Sequence, residues 1–443
     1  MPQSSRSDAR LFVFWLVCLF VLLTTGLVLY FTWSDPKPPV TRKPSPPKWS
    51  AKKSLKSVVP MAMKDGGKSA ELLRSINQSL LYLSRVRPNR TFTFGPRKVT
   101  RKQMVDTLLD VKKHVVQWGL SPKFFTYLKK HYDFYQSTAP KVLFTGYYEA
   151  SLRGSLRRTK RYKYPLYRKP KDLYRVYLRK FPFVRKGMRL PRRVRARITK
   201  RKGILPYYSR KEIDTDKKLA GRNLELVWID DPVGVFFLHI QGSGVIQLAE
   251  GGVMRVNYAD QNGHPYVAIG KTMLQRKMLE RGKISMQSIR AYLNKHPEHQ
   301  ESIFNSNPSY IFFRKVKRGP IGSLGVPVTP FRSIATDRRL FPYGALCFVT
   351  TKLPTFDKSG KKTGFKAWSG LVLNQDTGGA IRGPGRVDLF TGRGTYSEQV
   401  AGHLQSHGSL HFLLKKASSK LSPSKPHKEQ PRPTTRPGQT RSR

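Results

Sequence analysis

Cysteine is nearly absent from this chain, with two in 443 residues, so a disulfide framework is excluded and no thiolate metal site or redox pair is implied. Acidic residues are also scarce, 26 against 84 Lys plus Arg, which leaves a formal net charge of +58. Such a chain is attracted to polyanions of any kind, whether nucleic acid, an anionic wall polymer or a lipid surface, and charge alone does not choose among them. The length allows two or three compact domains.

Residues 11–33, LFVFWLVCLFVLLTTGLVLYFTW, carry no charged side chain. The run is long enough to span a hydrocarbon core of about 30 Å and longer than a typical secretory core of about 7–15 residues, so it reads as an uncleaved signal anchor, with cleavage after Gly26, where Thr24 and Gly26 are small, as the alternative. Cys18 follows Val17, a poor lipobox, and no lipidation is expected. The basic residues just after the span oppose an outward orientation by the positive-inside rule, so export has to be argued from elsewhere. Residues 34–65 are rich in Pro and Lys and read as a solvated linker, and 417–443 as a disordered basic tail.

Between these ends, apolar residues at three- and four-residue spacing predict helices across 68–136, with a turn at Asn89. From Val142 the pattern turns to short β runs punctuated by Gly, among them VGVFFLHIQGSGVIQL and HPYVAIG, with a helical interlude at 271–295. Cys347 lies in ALCFVTT, which reads as a buried strand. The class expected is α+β and β-rich. Residues 153–202 interleave Arg and Lys with Tyr162, Tyr164, Tyr167, Tyr174 and Tyr177, a surface suited to single-stranded nucleic acid, to a carboxylate-bearing carbohydrate, or merely to solvent.

Two of the few carboxylates stand in LNQDTGGAIRGPGRVDLFTGRG. Asp376 follows a strand and opens a Gly-Gly turn. Asp388 sits between Val387 and Leu389, so strand alternation sets it on the face opposite both. A carboxyl held among apolar neighbours has its pKa raised, which suits a general acid, although turn hydrogen bonds or pairing with Arg382, Arg386 and Arg393 would use the same residues. Asp376-Thr377-Gly378 is also the aspartic-protease triplet, but that chemistry needs two carboxylates and only one copy occurs. His403 and His407 are four apart without the Glu of a zinc-protease motif, and read as structural.

The blocks FTGYYEASLRGS (144–155), HIQGSGVIQL (239–248), NGHPYVAIGK (262–271), NPSYIFF (307–313), IATDRRLFPYG (334–344) and DTGGAIRGPGRVDLFTG (376–392) together resemble the membrane-bound lytic murein transglycosylase A family with its C-terminal three-aspartate domain. The resemblance implies a double-ψ β-barrel from 66–151 plus 259–416, with a second small barrel inserted at 152–258. It places the catalytic aspartate on Asp388, a supporting one on Asp376, and a third on Asp337 in the substrate cleft with Thr145, Tyr148 and Gln241. The implied reaction cleaves the MurNAc-GlcNAc bond of peptidoglycan to a 1,6-anhydromuramyl end, with no cofactor and no metal. The implied setting is membrane-anchored at the periplasmic face of a Gram-negative-type envelope, with glycan strands and other cell-wall enzymes as partners and no nucleic acid. This chain departs from the family by one extra residue between Asp376 and Asp388, at Pro384-Gly385, and by its basic stretch. The rival readings are a nucleic-acid-binding protein and a non-catalytic wall-binding module.

Overall fold

The structure is a computed structural model that describes residues 50–53, 55–178, 193–201, 203–280 and 282–417. The expected anchor at 11–33, most of the expected linker, part of the basic stretch and the tail from 418 lie outside the described residues. Among the described residues no helix is long and apolar enough to cross a membrane.

In chain order, β1 (Leu55–Ser57) is followed by α1 (Ser69–Ser84), the hairpin β2 (Thr91–Phe94) and β3 (Arg97–Thr100), α2 (Arg101–Trp118), α3 (Pro122–His131) and β4 (Tyr132–Ser137). The expected helical region is thus interrupted by a hairpin whose turn is Gly95-Pro96 and whose TFTF strand alternates. Thr100 ends that hairpin and starts α2 through a reciprocal capping box with Gln103. The expected linker is also shorter than its composition suggested. Leu55 is buried, β1 pairs with β4, and Asp65 is fully buried against Arg332.

The centre of the molecule is β5 (Val142–Ser155), and after it come β6 (Tyr164–Tyr167), β7 (Tyr174–Val176), β8 (Val194–Thr199), β9 (Gly203–Pro206), α4 (Arg210–Asp214) and β10 (Glu225–Ile229). Next is α5 (Pro232–Gln241), where the sequence pattern suggested a strand. Its apolar run is buried almost all round, so periodicity cannot tell helix from strand; Asp231 capping Gly234 N–H and Pro232 in the first turn decide for helix. The chain continues through β11 (Ser243–Leu248), β12 (Val253–Gln261), α6 (Ile269–Gln275), α7 (Met286–Lys295), α8 (Gln300–Asn305) and β13 (Ile311–Val316). HPYVAIG is loop running into α6, not strand. The last elements are β14 (Ser333–Ala335), β15 (Leu346–Phe356), β16 (Lys362–Asp376), β17 (Arg386–Arg393), α9 (Thr395–His403) and β18 (Gln405–Lys415).

The pairings close into two rings that share β5. In the first, β5 pairs with β17, β17 with β14, β14 with β16, β16 with β15, β15 with β18, and β18 returns to β5. Two of these ladders, β5–β17 and β14–β16, are parallel. In the second, the C-terminal half of β5 pairs with β10 and β11, and β10 leads to β6 while β11 leads through β12 to β13. A bridge between Arg168 and Phe313 joins the two free ends. This ladder continues through Val316, well past residue 258, because β13 depends on β12 for its partner. The α1–α3 helices pack on the first ring and share its core with Phe348, Leu371, Phe412 and Cys347.

Candidate active site

The shared strand β5 determines which residues meet. Alternation along it sets Thr145, Tyr147 and Glu149 on one face and Phe144, Gly146 and Tyr148 on the other. β17 runs parallel beside it, with Asp388 in register with Thr145, while Val387 and Leu389 are fully buried in the core of the first ring. Asp388 therefore stands away from that core, as its apolar neighbours require. Thr145 Oγ1 donates to Asp388 Oδ1 at 2.5 Å, and Arg386 Nη2 donates to the same Thr145 oxygen at 3.2 Å.

Asp376 ends β16 and receives three donors. Ser323 N–H and Thr377 N–H reach Oδ1 at 2.9 and 2.8 Å, and Tyr147 OH reaches Oδ2 at 3.1 Å. Burial nonetheless holds the Asp376 carboxyl above the ordinary carboxylate value. Burial is also the largest cause raising Asp388; the nearby Asp376 charge adds to it, while the Thr145 hydrogen bond and the Arg386 charge oppose it. Tyr147 feels both carboxylates, and its phenol is pushed far up by burial and by their charges. Both carboxyls are thus shifted toward protonation, Asp376 against three donors and Asp388 against one, with a neutral phenol close to both.

The other expected site residues fall differently. Asp337 is fully buried, and its oxygens are taken up by Arg339 at 2.6 and 2.9 Å and by Gly383 N–H at 2.9 Å. It is placed to hold the Gly378–Gly385 loop that joins the two other aspartates. Tyr148 is on the opposite face of β5 from Thr145 and only 2% exposed, so its ring belongs to a core. Gln241, at the end of α5, accepts the Tyr148 backbone N–H at 3.0 Å and fixes the strand at its midpoint. Glu149 is buried in an ion pair with Arg255 at 3.0 Å. His403 closes α9 and His407 lies in β18, so they do not share a helix face.

Two residues were missed. Tyr147, two residues from Thr145, could have been found from the strand period. Tyr266, in the loop before α6, still has 37% of its surface exposed; its phenol is raised by partial desolvation first and by the Asp388 charge second, a proximity that only the fold creates.

A β-rich scaffold of two strand rings, carrying two desolvated carboxyls beside their shared strand, one hydrogen-bonded by Thr145 and one by three donors, is the class of site defined here. Residues 143–314 match the family model described as the MltA specific insert domain, and residues 332–414 match the 3D domain. The chain belongs to the MltA family with a 3D domain. It is similar to the membrane-bound lytic murein transglycosylase A of Vibrio cholerae, at 30% identity over 200 residues, 43% of this chain and 52% of that protein. The protein of the same name from Escherichia coli K12 is 30% identical over 279 residues, 62% of this chain and 66% of that one. The chain thus spans about half to two thirds of those relatives' lengths. The crystal structure of a membrane-bound lytic murein transglycosylase from Agrobacterium tumefaciens superposes with a TM-score of 0.66 at 29% identity, covering 82% of this chain and 98% of that one.

Proposed function

We propose that this protein is a lytic transglycosylase that cleaves the MurNAc-GlcNAc β-1,4 bond of peptidoglycan glycan strands with Asp388 as the single acid and base. The observation that carries the reading is the Asp388 carboxyl, desolvated, hydrogen-bonded by Thr145 and raised toward protonation beside Asp376. Names of relatives, membrane-bound lytic murein transglycosylases, support the substrate class.

Protonated Asp388 donates to the glycosidic oxygen as the C1–O bond breaks, and positive charge develops at the muramyl C1. The muramyl C6 hydroxyl attacks C1, and its proton passes to the Asp388 carboxylate, which restores the acid. No water is consumed, and the product is a 1,6-anhydromuramyl end. A second carboxylate at the spacing of ordinary glycosidases is not required. Asp376, held by its three donors, stabilises the developing charge in its carboxylate form. Thr145 and Tyr147 orient the two carboxylates. Asp337 and Gln241 act through the loop and the strand they hold, and Tyr148 through the core.

Two features of the wider chain belong to the same proposal. The first ring is read as a double-ψ barrel, which its two parallel ladders support, with the second ring as the insert, carried by its ladder to Val316. Residues 11–33 are read as an anchor that holds the catalytic part at the periplasmic face, where other wall enzymes would be partners. Alkaline phosphatase fused after residue 48 is expected to be active; an inactive fusion beside an active cytoplasmic reporter refutes that location.

The test of the chemistry is mass spectrometry of sacculus digests. Wild-type protein is expected to release anhydromuramyl products and Asp388→Asn none, a loss of about 10²–10⁴-fold or more. Reducing-end products that have taken up water would refute the transglycosylase reaction.

A further inference from the structure

The far end of α7 carries a second group of titratable side chains, remote in sequence from the carboxylates of the candidate active site. His296 ends the helix, Pro297–His299 form a single tight turn, and α8 begins at Gln300. Within that turn the donor atoms of His296, Glu298 and His299 all lie within 4.8 Å of one another. His296 Nδ1 is 3.2 Å from Glu298 Oε1, and His299 Nε2 is 3.9 Å from the same oxygen. Four-coordinate zinc with bonds of about 2.0–2.1 Å has ligand atoms roughly 3.3–3.4 Å apart, so small side-chain adjustments close this set on one ion.

A separate observation concerns the ring of His299. Its other nitrogen, Nδ1, is 3.0 Å from the hydroxyl of Tyr292, seven residues back in the last turn of α7. That contact leaves Nε2 facing Glu298. Metal-bound histidines are oriented in this way, with the second nitrogen held by an outer partner that fixes tautomer and ring direction. Tyr292 also stacks on His299, and His296 on His299, with ring centroids 5.8 and 5.6 Å apart. The turn itself is stiffened by Pro297 and by Gln300 Nε2 donating to Leu293 O at 2.9 Å.

We infer that His296, Glu298 and His299 form a binding site for a borderline divalent metal of the zinc class, with water completing the coordination. Two imidazoles and one carboxylate select such ions over Mg²⁺ and Ca²⁺, which prefer all-oxygen sets. A net charge of +58 gives the chain no general attraction for cations, so saturable uptake has to come from a defined ligand set. The site joins the end of α7 to α8 and is independent of the glycan-cleaving reading.

The experiment is titration of chelator-treated full-length protein in detergent with ZnCl₂ by calorimetry, and with Co²⁺ by visible absorption. One equivalent of Zn²⁺ is expected to bind, and Co²⁺ is expected to show the intense bands of four-coordinate geometry. His299→Ala and Glu298→Gln should each abolish the one-site isotherm, and Tyr292→Phe should weaken it by about 10–100-fold. All three side chains are partly or largely exposed, so unchanged far-UV circular dichroism is expected in each variant. Absence of saturable binding overturns the site. Binding that survives the His296→Ala/His299→Ala double variant also overturns it, by assigning the metal to other histidines.

Discussion

Thr145 and Asp388 are register partners across the parallel β5–β17 ladder, and the threonine hydroxyl donates directly to the aspartate. A donor to the carboxylate stabilises its ionised form, so Thr145 lowers a pKa that burial raises. Thr145→Val removes the donor while keeping the β-branched shape. The expected outcome is a pH–rate profile whose Asp388 limb moves to higher pH, with kcat reduced by about two- to tenfold, the worth of one hydrogen bond. An unmoved limb in the pH dependence of sacculus turnover would remove Thr145 from the site.

Asp388 also burdens the fold. Because its folded pKa is raised from the ordinary 3.8, the native state binds more protons than the unfolded chain between 3.8 and the folded value. Stability therefore falls as pH rises through that window, and the full burden is present above it. Asp388→Asn removes the titration and keeps an acceptor for Thr145. The melting temperature of the variant minus that of wild type is expected to be larger at pH 7 than at pH 3. A difference that declines with rising pH would mean that the carboxylate is stabilised where it lies.

How far such a site was legible follows from the range of the information each residue carries. Asp388 could be placed from Val387 and Leu389 alone, since the strand period is local. Asp376 was marked by its turn. The same period applied to FTGYYEA picks Tyr147 over Tyr148, because only odd positions share the face of Thr145. Asp337 was expected in the cleft only from the resemblance; its pairing with Arg339 is local, two residues on, but its hold on Gly383 is a tertiary fact. Tyr266 and the ring-closing Arg168–Phe313 bridge carry no local signature. In the fold, α5 was mistaken for a strand because a uniformly buried helix loses its amphipathic period, although Asp231-Pro232 signalled a helix start.

The Asp65–Arg332 pair gives a stability prediction away from the chemistry. Both side chains are at most 1% exposed, Arg332 Nη1 lies 2.6 Å from Asp65 Oδ2, and Asp65 also accepts Leu371 N–H at 2.7 Å. Arg332 donates further to Leu371 O and Lys68 O, tying the segment before α1 to β16. Asp65→Ala leaves the guanidinium buried without its counter-charge and is expected to cost about 3–5 kcal/mol in urea unfolding. The double change Asp65→Ala/Arg332→Met should recover part of that loss. A single-variant cost below about 1 kcal/mol would show that the pair is dispensable.

The sharpest test of how the two carboxylates work together uses opposite shifts. The Asp376 charge is one of the causes that raise Asp388, so Asp376→Asn should let the Asp388 pKa fall. Its pH–rate limb then moves to lower pH, against the upward movement expected for Thr145→Val. Tyr147→Phe acts in the same direction as Asp376→Asn but more weakly. Loss of the phenol donor favours the protonated form of Asp376, and so reduces the negative charge beside Asp388. Turnover at the optimum should fall in Asp376→Asn, because the developing positive charge loses a neighbour. The fall should stay short of the Asp388→Asn loss, since the proton-transferring group itself remains. The measurement is kcat across pH 4–8 for these three variants and Asp388→Asn on purified sacculi. If Thr145→Val and Asp376→Asn move the limb in the same direction, the titrating group is not Asp388. If Asp376→Asn matches the Asp388→Asn loss at every pH, the proton is cycled by the pair and not by Asp388 alone.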